Sequence, residues 1–525
     1  MSGQRTQTDS AGVTDVVVVG GGLVGLAAAL LLRAHGVAVT LVEKRATTSP
    51  QPKARRLHMR SMEIFRQLGV AGLVRDAARD LAGHDHMAVG TTLAEARQLP
   101  LWGTGSSGAS GASGASGSPG ELAVEVSPEL PCLLSQDLLE PLLRAAAVDA
   151  GADVRFGTEL AGFGQSPGGV AARLLARGSG RVSLVAARFL VAADGAHSPV
   201  RETLGITSSG NGFTGSPSVS VYFSADLADV VRGREFNLCQ ITRPDAAGTL
   251  ASVDGERRWV FMCPAGDTEP DWPEFLRRAL GVGAPDLEIM SVLRWRSDMR
   301  VADRYRAGRV LLAGDAAHVM PPFAASGANT GIADAHNLAW KLAAVLNGQA
   351  GEGLLDSYQA ERRPADWFAA DQSTRRSEQF RSGAAPDPSL AHPYVLAAGG
   401  FQYPAGALMI TDATRADPEP VTRFAPRGRV GTRVPHRRLG PAGARSTIDL
   451  AGPGWALLAR GEQPRLPVPP ALAAGCPRIA VHHLGEADFL GPGELALLRP
   501  DHVVAWRGTD VSQPFSVLPR ILDGV

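Results

Sequence analysis

Residues 14–45, "TDVVVVGGGLVGLAAALLLRAHGVAVTLVEKR", constrain the fold more than any other stretch of this chain. Val16–Val19 is a short run without a polar residue, the pattern of a parallel strand buried on both faces. Leu23, Leu26, Leu30 and Ala34 recur at helical spacing, and Gly36 stops the helix. Val37–Val42 then supplies a second strand. Strand, turn, helix and strand in this order make a βαβ unit, so the expected class is α/β with a Rossmann-like sheet.

The turn reads G-x-G-x-x-G at Gly20, Gly22 and Gly25. The first glycine makes the tight turn, the second lets backbone approach a pyrophosphate, and the third lets the helix pack closely on the sheet. Phosphates would rest on free N–H groups at the positive helix end, where Leu23 and Val24 stand. Glu43 lies 18 residues past Gly25, with Lys44 beside it. A carboxylate there accepts both ribose hydroxyls and repels a 2′-phosphate. The unit predicts an adenine dinucleotide site, and the loop alone does not separate FAD from NAD.

Two further stretches run from an apolar strand into an acid beside glycine. "FLVAADGAHSPVR" (189–201) reaches Asp194-Gly195, and "GRVLLAGDAAH" (308–318) reaches Gly314-Asp315. Either alone reads equally well as a surface turn. With the three in this order, the chain resembles the FAD-dependent aromatic hydroxylases, the single-component flavoprotein monooxygenases typified by p-hydroxybenzoate hydroxylase. The likeness continues in "NTGIADAHNLAWKLAAVL" and "LLDSYQAERRP" and runs over most of residues 14–370. It is nearest to the larger members that tailor aromatic polyketides or inactivate rifamycin-type antibiotics, which carry an extra C-terminal domain of thioredoxin-like shape.

The resemblance implies a discontinuous FAD-binding domain (14–79, 121–203 and 300–370). An inserted antiparallel β-sheet substrate domain takes 80–120 and 204–299. A helical connector (371–404) and a thioredoxin-like domain (405–525) follow. It implies bound FAD, transient NADPH or NADH, dioxygen, and an aromatic, polycyclic polyketide-type substrate hydroxylated through a flavin C4a-hydroperoxide. The alternative is a Baeyer–Villiger oxygenation or other oxidation of a similar metabolite, and a binding protein that has lost turnover is the rival from another class. By resemblance, Asp315 and Gln136 hold the ribityl chain from opposite sides. The amides near Ala328 and Asn329 meet the flavin pyrimidine edge. Lys53, Asp194, Gly314, Pro322 and Gly327 complete the cofactor set, and no catalytic base is assigned.

Residue chemistry agrees where it can be read. Gly314 lets backbone come near, and Asp315 is a hydroxyl acceptor at a strand's carboxyl end, where α/β sheets bind ligands. Ile332, Ala335, Ala339, Leu342 and Leu346 make one apolar helix face, with Asn329 or Thr330 as the expected N-cap. The chain departs from its relatives in two places. Ala324-Ala325-Ser326-Gly327 stands where many have Gly-Gly-x-Gly, and alanine resists positive φ. Pro52-Lys53-Ala54 stands for Pro-Arg-Ala and is followed by Arg55-Arg56, leaving open which cation meets flavin or substrate.

Composition narrows the rest. Basic and acidic residues balance at 52 each, so no global charge recruits nucleic acid or an anionic membrane. No stretch reaches about 18 uninterrupted apolar residues, so no membrane span is expected. Cys132, Cys239, Cys263 and Cys476 form no C-x-x-C and read as free thiols of a cytoplasmic protein. A homodimer is compatible with all of this. His84-x-His86 would share a strand face, but with no third ligand evident no metal site is expected. The G-x-S-x-G match at 164–168 (GQSPG) is a Ser-Pro-Gly turn rather than a strand-to-helix elbow, and the further G-x-G-x-x-G matches at 103–108 and 210–215 lie outside any strand–turn–helix unit, which disfavours hydrolysis and a resident nicotinamide. Residues 103–120, with their GAS repeat, read as a flexible excursion, with a lid as the alternative. Residues 216–263 alternate as an antiparallel sheet, in which Val219, Val221 and Phe223 face either core or a flat apolar ligand.

Overall fold

The computed structural model describes residues 12–99, 126–283, 286–382, 387–391, 401–410, 427–440, 445–461, 477–485 and 489–524. The repeat at 103–120, with its lid alternative, and Cys476 lie outside the described residues.

The expected βαβ unit is β1 (Gly12–Val19), α1 (Leu23–Ala34) and β2 (Val39–Glu43). It is followed by α2 (Met59–Gln67), β3 (Met87–Gly90), α3 (Gln136–Asp149), β4 (Asp153–Phe156) and β5 (Arg181–Ala192). Next come β6 (Ser208–Ser224), β7 (Leu238–Ile241), β8 (Gly248–Ser252), β9 (Arg258–Pro264), α4 (Trp272–Leu280) and β10 (Glu288–Ala302). β11 (Val310–Leu312) leads to α5 (Ser326–Leu346), and α6 (Asp356–Ser382) carries the chain across position 370. The C-terminal part holds β12 (Trp455–Arg460), β13 (Ile479–Leu484), β14 (Leu495–Leu498), β15 (Val504–Gly508) and α7 (Gln513–Asp523).

Five strands of the first sheet lie in the order β11-β5-β1-β2-β4, every pair parallel. Val19 pairs with Ala192, and Ala192 with Leu312, so the three strands end abreast. The turns at Gly20, Asp194 and Gly314 therefore leave one edge of one sheet, although almost three hundred residues separate the first from the last.

The second sheet contains the order β10-β6-β9-β8-β7-β3, antiparallel except for the parallel pair β7–β3. Its two faces differ. Val219, Val221, Phe223, Trp259, Phe261, Cys239 and Leu250 are buried in one cluster with Trp272, Leu276, Ala279 and Leu280 of α4. That helix is well specified: Asp271 caps it through the Glu274 N–H at 3.1 Å, and Gly281 ends it with φ +68°. The apolar alternation read in the sequence is thus packed core, each side chain contributing about 1.5–3 kcal/mol. The opposite face carries Ser220, Tyr222, Met262, Thr249, Leu238 and Trp295.

The C-terminal sheet has the order β13-β12-β14-β15, with β12 and β13 parallel and the other pairs antiparallel, and α7 follows. This is the thioredoxin-like arrangement. α5 differs from its expectation in two ways. It begins at Ser326 after Ala325, which adopts φ +54°, so neither Asn329 nor Thr330 is the N-cap. Nor does it bury one face alone: Asp334, His336, Asn337 and Lys341 are buried along with Ile332, Ala335, Ala339 and Leu342. α6 and the C-terminal part supply charged partners for the polar side, which hydrophobic periodicity cannot register.

Candidate active site

The first and last turns interlock at Val24. Gly314 has φ +61°, and a Cβ there would lie 2.8 Å from Val24 Cγ2. A Cβ on Gly331 of α5 would meet the same atom at 2.5 Å. Only hydrogen at both positions lets α5 and the late turn close on the first helix. The Asp194 turn is tied in by Arg201, which donates to the Ala196 and Ala316 carbonyls, both at 3.0 Å.

Buried acids then decide which amides of the first turn remain open. Glu43 Oε2 accepts from Gly21 N–H at 2.8 Å, and Glu140 Oε1 accepts from Leu23 N–H at 3.1 Å. The N–H groups of Gly22, Val24 and Gly25 have no acceptor among the described residues. Unpartnered amides at the positive end of a helix form an anion site. Of the expected phosphate contacts, Gly22, Val24 and Gly25 therefore offer free donors, whereas Leu23 has its amide engaged. Glu43 Oε1 takes the Arg45 N–H at 2.8 Å, and each of its oxygens keeps a lone pair for a hydroxyl donor. Lys44 is exposed.

At the late turn, Asp315 is open to solvent, yet protein crowds it and burial pushes its pKa up, opposed by His318 and Lys53. Asp194 is also pushed up by burial, and its Oδ1 is buried without a partner while Oδ2 accepts from Val200 N–H at 3.1 Å. Behind Asp315 lies a closed network. Asp334 Oδ2 accepts from Gly314 N–H at 3.0 Å and from His318 Nε2 at 2.7 Å. Arg362 bridges Asp334 Oδ1 at 2.7 Å and Asp366 Oδ1 at 2.6 Å, and Tyr305 donates to Asp366 Oδ2 at 2.8 Å. Burial lowers the pKa of His318, but Asp366 and Asp334 outweigh it and raise it to about 9. His318, Asp334 and Asp366 could geometrically surround an ion. Their ligand atoms are already committed to Arg362, Tyr305 and one another, which is a structural ion cluster rather than a metal centre.

The cations of 53–56 separate cleanly. Lys53 is exposed and acts on Asp315. Arg55 donates to the Ser252 carbonyl of the second sheet, and burial lowers its pKa to about 10. Arg56 pairs with Asp85 at 3.3 Å. Because α5 starts early, Gly327 and Ala328 sit in its first turn, with their N–H groups at the positive end. The Asn329 side chain is committed elsewhere: Oδ1 accepts from His58 N–H and Ser61 Oγ, each at 2.7 Å, and Nδ2 donates to the Arg56 and Ala325 carbonyls. It fastens segment 56–61 to the loop before α5. Pro322 is exposed beside that loop.

Gln136 directs its Nε2 to Glu140 Oε1 at 2.6 Å. The next residue of α3, Asp137, accepts from Arg258 at 3.0 Å, which joins the helix to the second sheet beside Tyr222. Gln51 reaches Ser291 of β10 at 3.0 Å. These contacts set the Tyr222 face of the second sheet over segment 50–56 and the start of α3.

Residues 13–373 match the family model of the FAD binding domain, and residues 427–523 match the aromatic-ring hydroxylase C-terminal family. The chain belongs to the FAD-dependent aromatic-ring hydroxylases. It is 39% identical to tetracenomycin B2 monooxygenase-dioxygenase of Streptomyces olivaceus, over 97% of each chain. Aklavinone-11 hydroxylase, solved with FAD and aklavinone, superposes with a TM-score of 0.84 at 33% identity, covering 97% of this chain and 99% of that one. The flavin-dependent monooxygenase PieE, solved with FAD and substrate, gives 0.82 at 28% identity over 99% and 100%. This hydroxylase is accordingly a flavin-dependent monooxygenase, and its cofactor is FAD. The residues present fit that group: free amides at Gly22 and Val24, spare acceptors on Glu43 and an open Asp315. Glu140 was missed in the sequence. Its signal was there, four residues after Gln136 and thus on the same side of α3, but an acid on an amphipathic helix reads as solvated surface.

Proposed function

We propose that this chain hydroxylates a large, flat aromatic substrate of the polyketide type, using NADPH or NADH and dioxygen. The observation that carries the reading is the face of the second sheet turned toward the cofactor cradle, which is mixed in polarity, with Ser220, Thr249, Leu238, Met262 and Trp295 half-buried around a buried Tyr222, while its other face is sealed by α4. Of the relatives, one is named for tetracenomycin B2, one is solved with aklavinone, and another is named a polyketide hydroxylase. Bound FAD supplies activation of dioxygen and transfer of one oxygen atom, the other leaving as water.

The residues of the chain do the rest. Gly22 and Val24 N–H groups hold the pyrophosphate, and Glu43 takes the ribose hydroxyls. Asp315 and Gln136 take the ribityl hydroxyls. The N–H groups of Gly327 and Ala328 favour negative charge at the flavin pyrimidine edge. The sheet excludes water from the reacting ring. A cytoplasmic location and pairing with a second copy belong to the same reading; Cys132, Cys239 and Cys263 are buried free thiols.

The test is the ratio of oxygenated product to NADPH consumed, with one-ring and four-ring phenols side by side and mass spectrometry counting oxygen atoms gained. A four-ring substrate removes more apolar area from water, at about 25 cal/mol per Å², and should be tightly coupled. Tight coupling with the one-ring phenol and no binding of the larger one would sink the reading.

A further inference from the structure

Glu140 is buried on α3, and its carboxylate accepts from three segments at once. Oε1 receives Leu23 N–H at 3.1 Å and Gln136 Nε2 at 2.6 Å, and Oε2 receives Ser49 N–H at 2.9 Å. All three partners are donors, so only an acceptor on both oxygens satisfies the site. The same chemistry orients Gln136: its NH₂ must face the carboxylate, which turns its carbonyl oxygen outward as an acceptor. Glu43 makes the matching contact on the other side of the turn, at Gly21. A phosphate placed on the Gly21 or Leu23 amide would face an engaged donor and a carboxylate of like charge.

We propose that Glu140 is a positioning residue for the cofactor, presenting Gln136 as an acceptor and withdrawing the Leu23 amide, so that phosphate meets the amides of Gly22, Val24 and Gly25 but not that of Leu23. The proposal rests on the reading of this cleft as the FAD cradle. It goes beyond that reading by assigning a role to a residue that contacts FAD only through others.

The experiment measures FAD affinity of the apoprotein by quenching of flavin fluorescence, together with urea unfolding of the same apoprotein. The variants are Glu140→Gln, Gln136→Ala and the double variant. Glu140→Gln places an NH₂ against donors and should raise the Kd for FAD about tenfold, the loss of one charge-assisted hydrogen bond. In the Gln136→Ala background the same change should have a clearly smaller effect, because its partner is gone. Glu140→Asp, which keeps the acceptor charge on a shorter stem, should fall between and stands in if Glu140→Gln does not fold. A drop in apoprotein stability with Kd unchanged within about twofold would overturn the proposal, as would equal effects in both backgrounds. Unchanged affinity in Asp315→Ala as well as in Gln136→Ala would sink the cradle reading itself, and the proposal with it.

Discussion

At the junction between α5, α6 and the C-terminal sheet, Glu361 accepts from Lys341 at 2.8 Å, Asn337 at 2.6 Å, Ala407 N–H at 2.7 Å and both terminal nitrogens of Arg499 at 2.7 Å. Asp501 takes the remaining side of Arg499, and Glu63 and Arg433 form a second buried pair nearby. At the cofactor cradle, Asp194 Oδ1 has no partner, Asp315 is open, and the amides of Gly22, Val24 and Gly25 have no acceptor among the described residues. Both regions are dense in charge and both join distant parts of the chain. They differ in whether the charges are spent. A buried polar group left unpaired costs about 1–3 kcal/mol, so such groups persist in number only where a ligand completes them. The charges of the junction are paired, although Asn337 Oδ1 beside them has no partner, whereas the cradle leaves an acid and a run of backbone amides for a ligand.

The sharpest way to break this contrast is at the junction. Arg499→Ala leaves Glu361 and Asp501 buried together without their shared cation, and should cost about 3–5 kcal/mol of unfolding free energy. Urea unfolding measures it, and the folded fraction should keep its affinity for FAD. A loss below about 1 kcal/mol would mean that water reaches the junction and that its charges are not architectural.

The cradle should respond in the opposite sense. Asp315→Ala removes an open acceptor and should cost roughly 1.5–3 kcal/mol of FAD binding, while the apoprotein unfolds at nearly the wild-type urea concentration. Near-normal flavin content in the purified variant would place the ribityl chain elsewhere.

This division was only half legible in the sequence. The glycines, apolar strands and acids at Gly20–Glu43 and Gly314–Asp315 carry local signals, because turn geometry and strand burial are written in neighbouring residues. The junction pairs residues 63 with 433 and 361 with 499, and no local pattern encodes a partner that far away. Alternation in β6 announced two unlike faces but not which one α4 would cover. The early start of α5 depends on Ala325 taking a left-handed backbone, a tertiary demand that alanine's own preference opposes.

A third test falls between the two regions, in the network behind Asp315. The pKa of His318 is raised from its ordinary 6.5 to about 9, so its contribution is fully present below pH 6.5 and is lost as pH rises through 9. The gap in unfolding free energy between the wild type and His318→Asn should be widest below pH 6.5 and close by about pH 9 to 10. A gap that does not change with pH would mean that His318 is neutral and the cluster is held by Arg362 alone.

The smallest effect compares strain in the two regions. Ala325 beside the cradle and His502 in the junction are the non-glycine residues with positive φ among those described, at +54° and +66°. A left-handed backbone costs a residue with a Cβ roughly 1–2 kcal/mol, which glycine avoids at some expense in unfolded-chain entropy. Ala325→Gly should therefore stabilise the protein by up to about 1 kcal/mol, since the side chain has no polar duty to lose. His502→Gly relieves the same backbone but removes the Nδ1 that Arg60 approaches at 2.8 Å. The half-buried guanidinium then loses an acceptor worth about 1–3 kcal/mol, so relief should be outweighed and the variant should be less stable. Thermal and urea unfolding of the two variants side by side reads the difference. If both gain stability, the His502–Arg60 contact contributes nothing and the junction is less tightly matched than its geometry implies. If both lose it, the Ala325 methyl packs in a way that outweighs its strain, and the left-handed turn before α5 is a stable fixture of the fold.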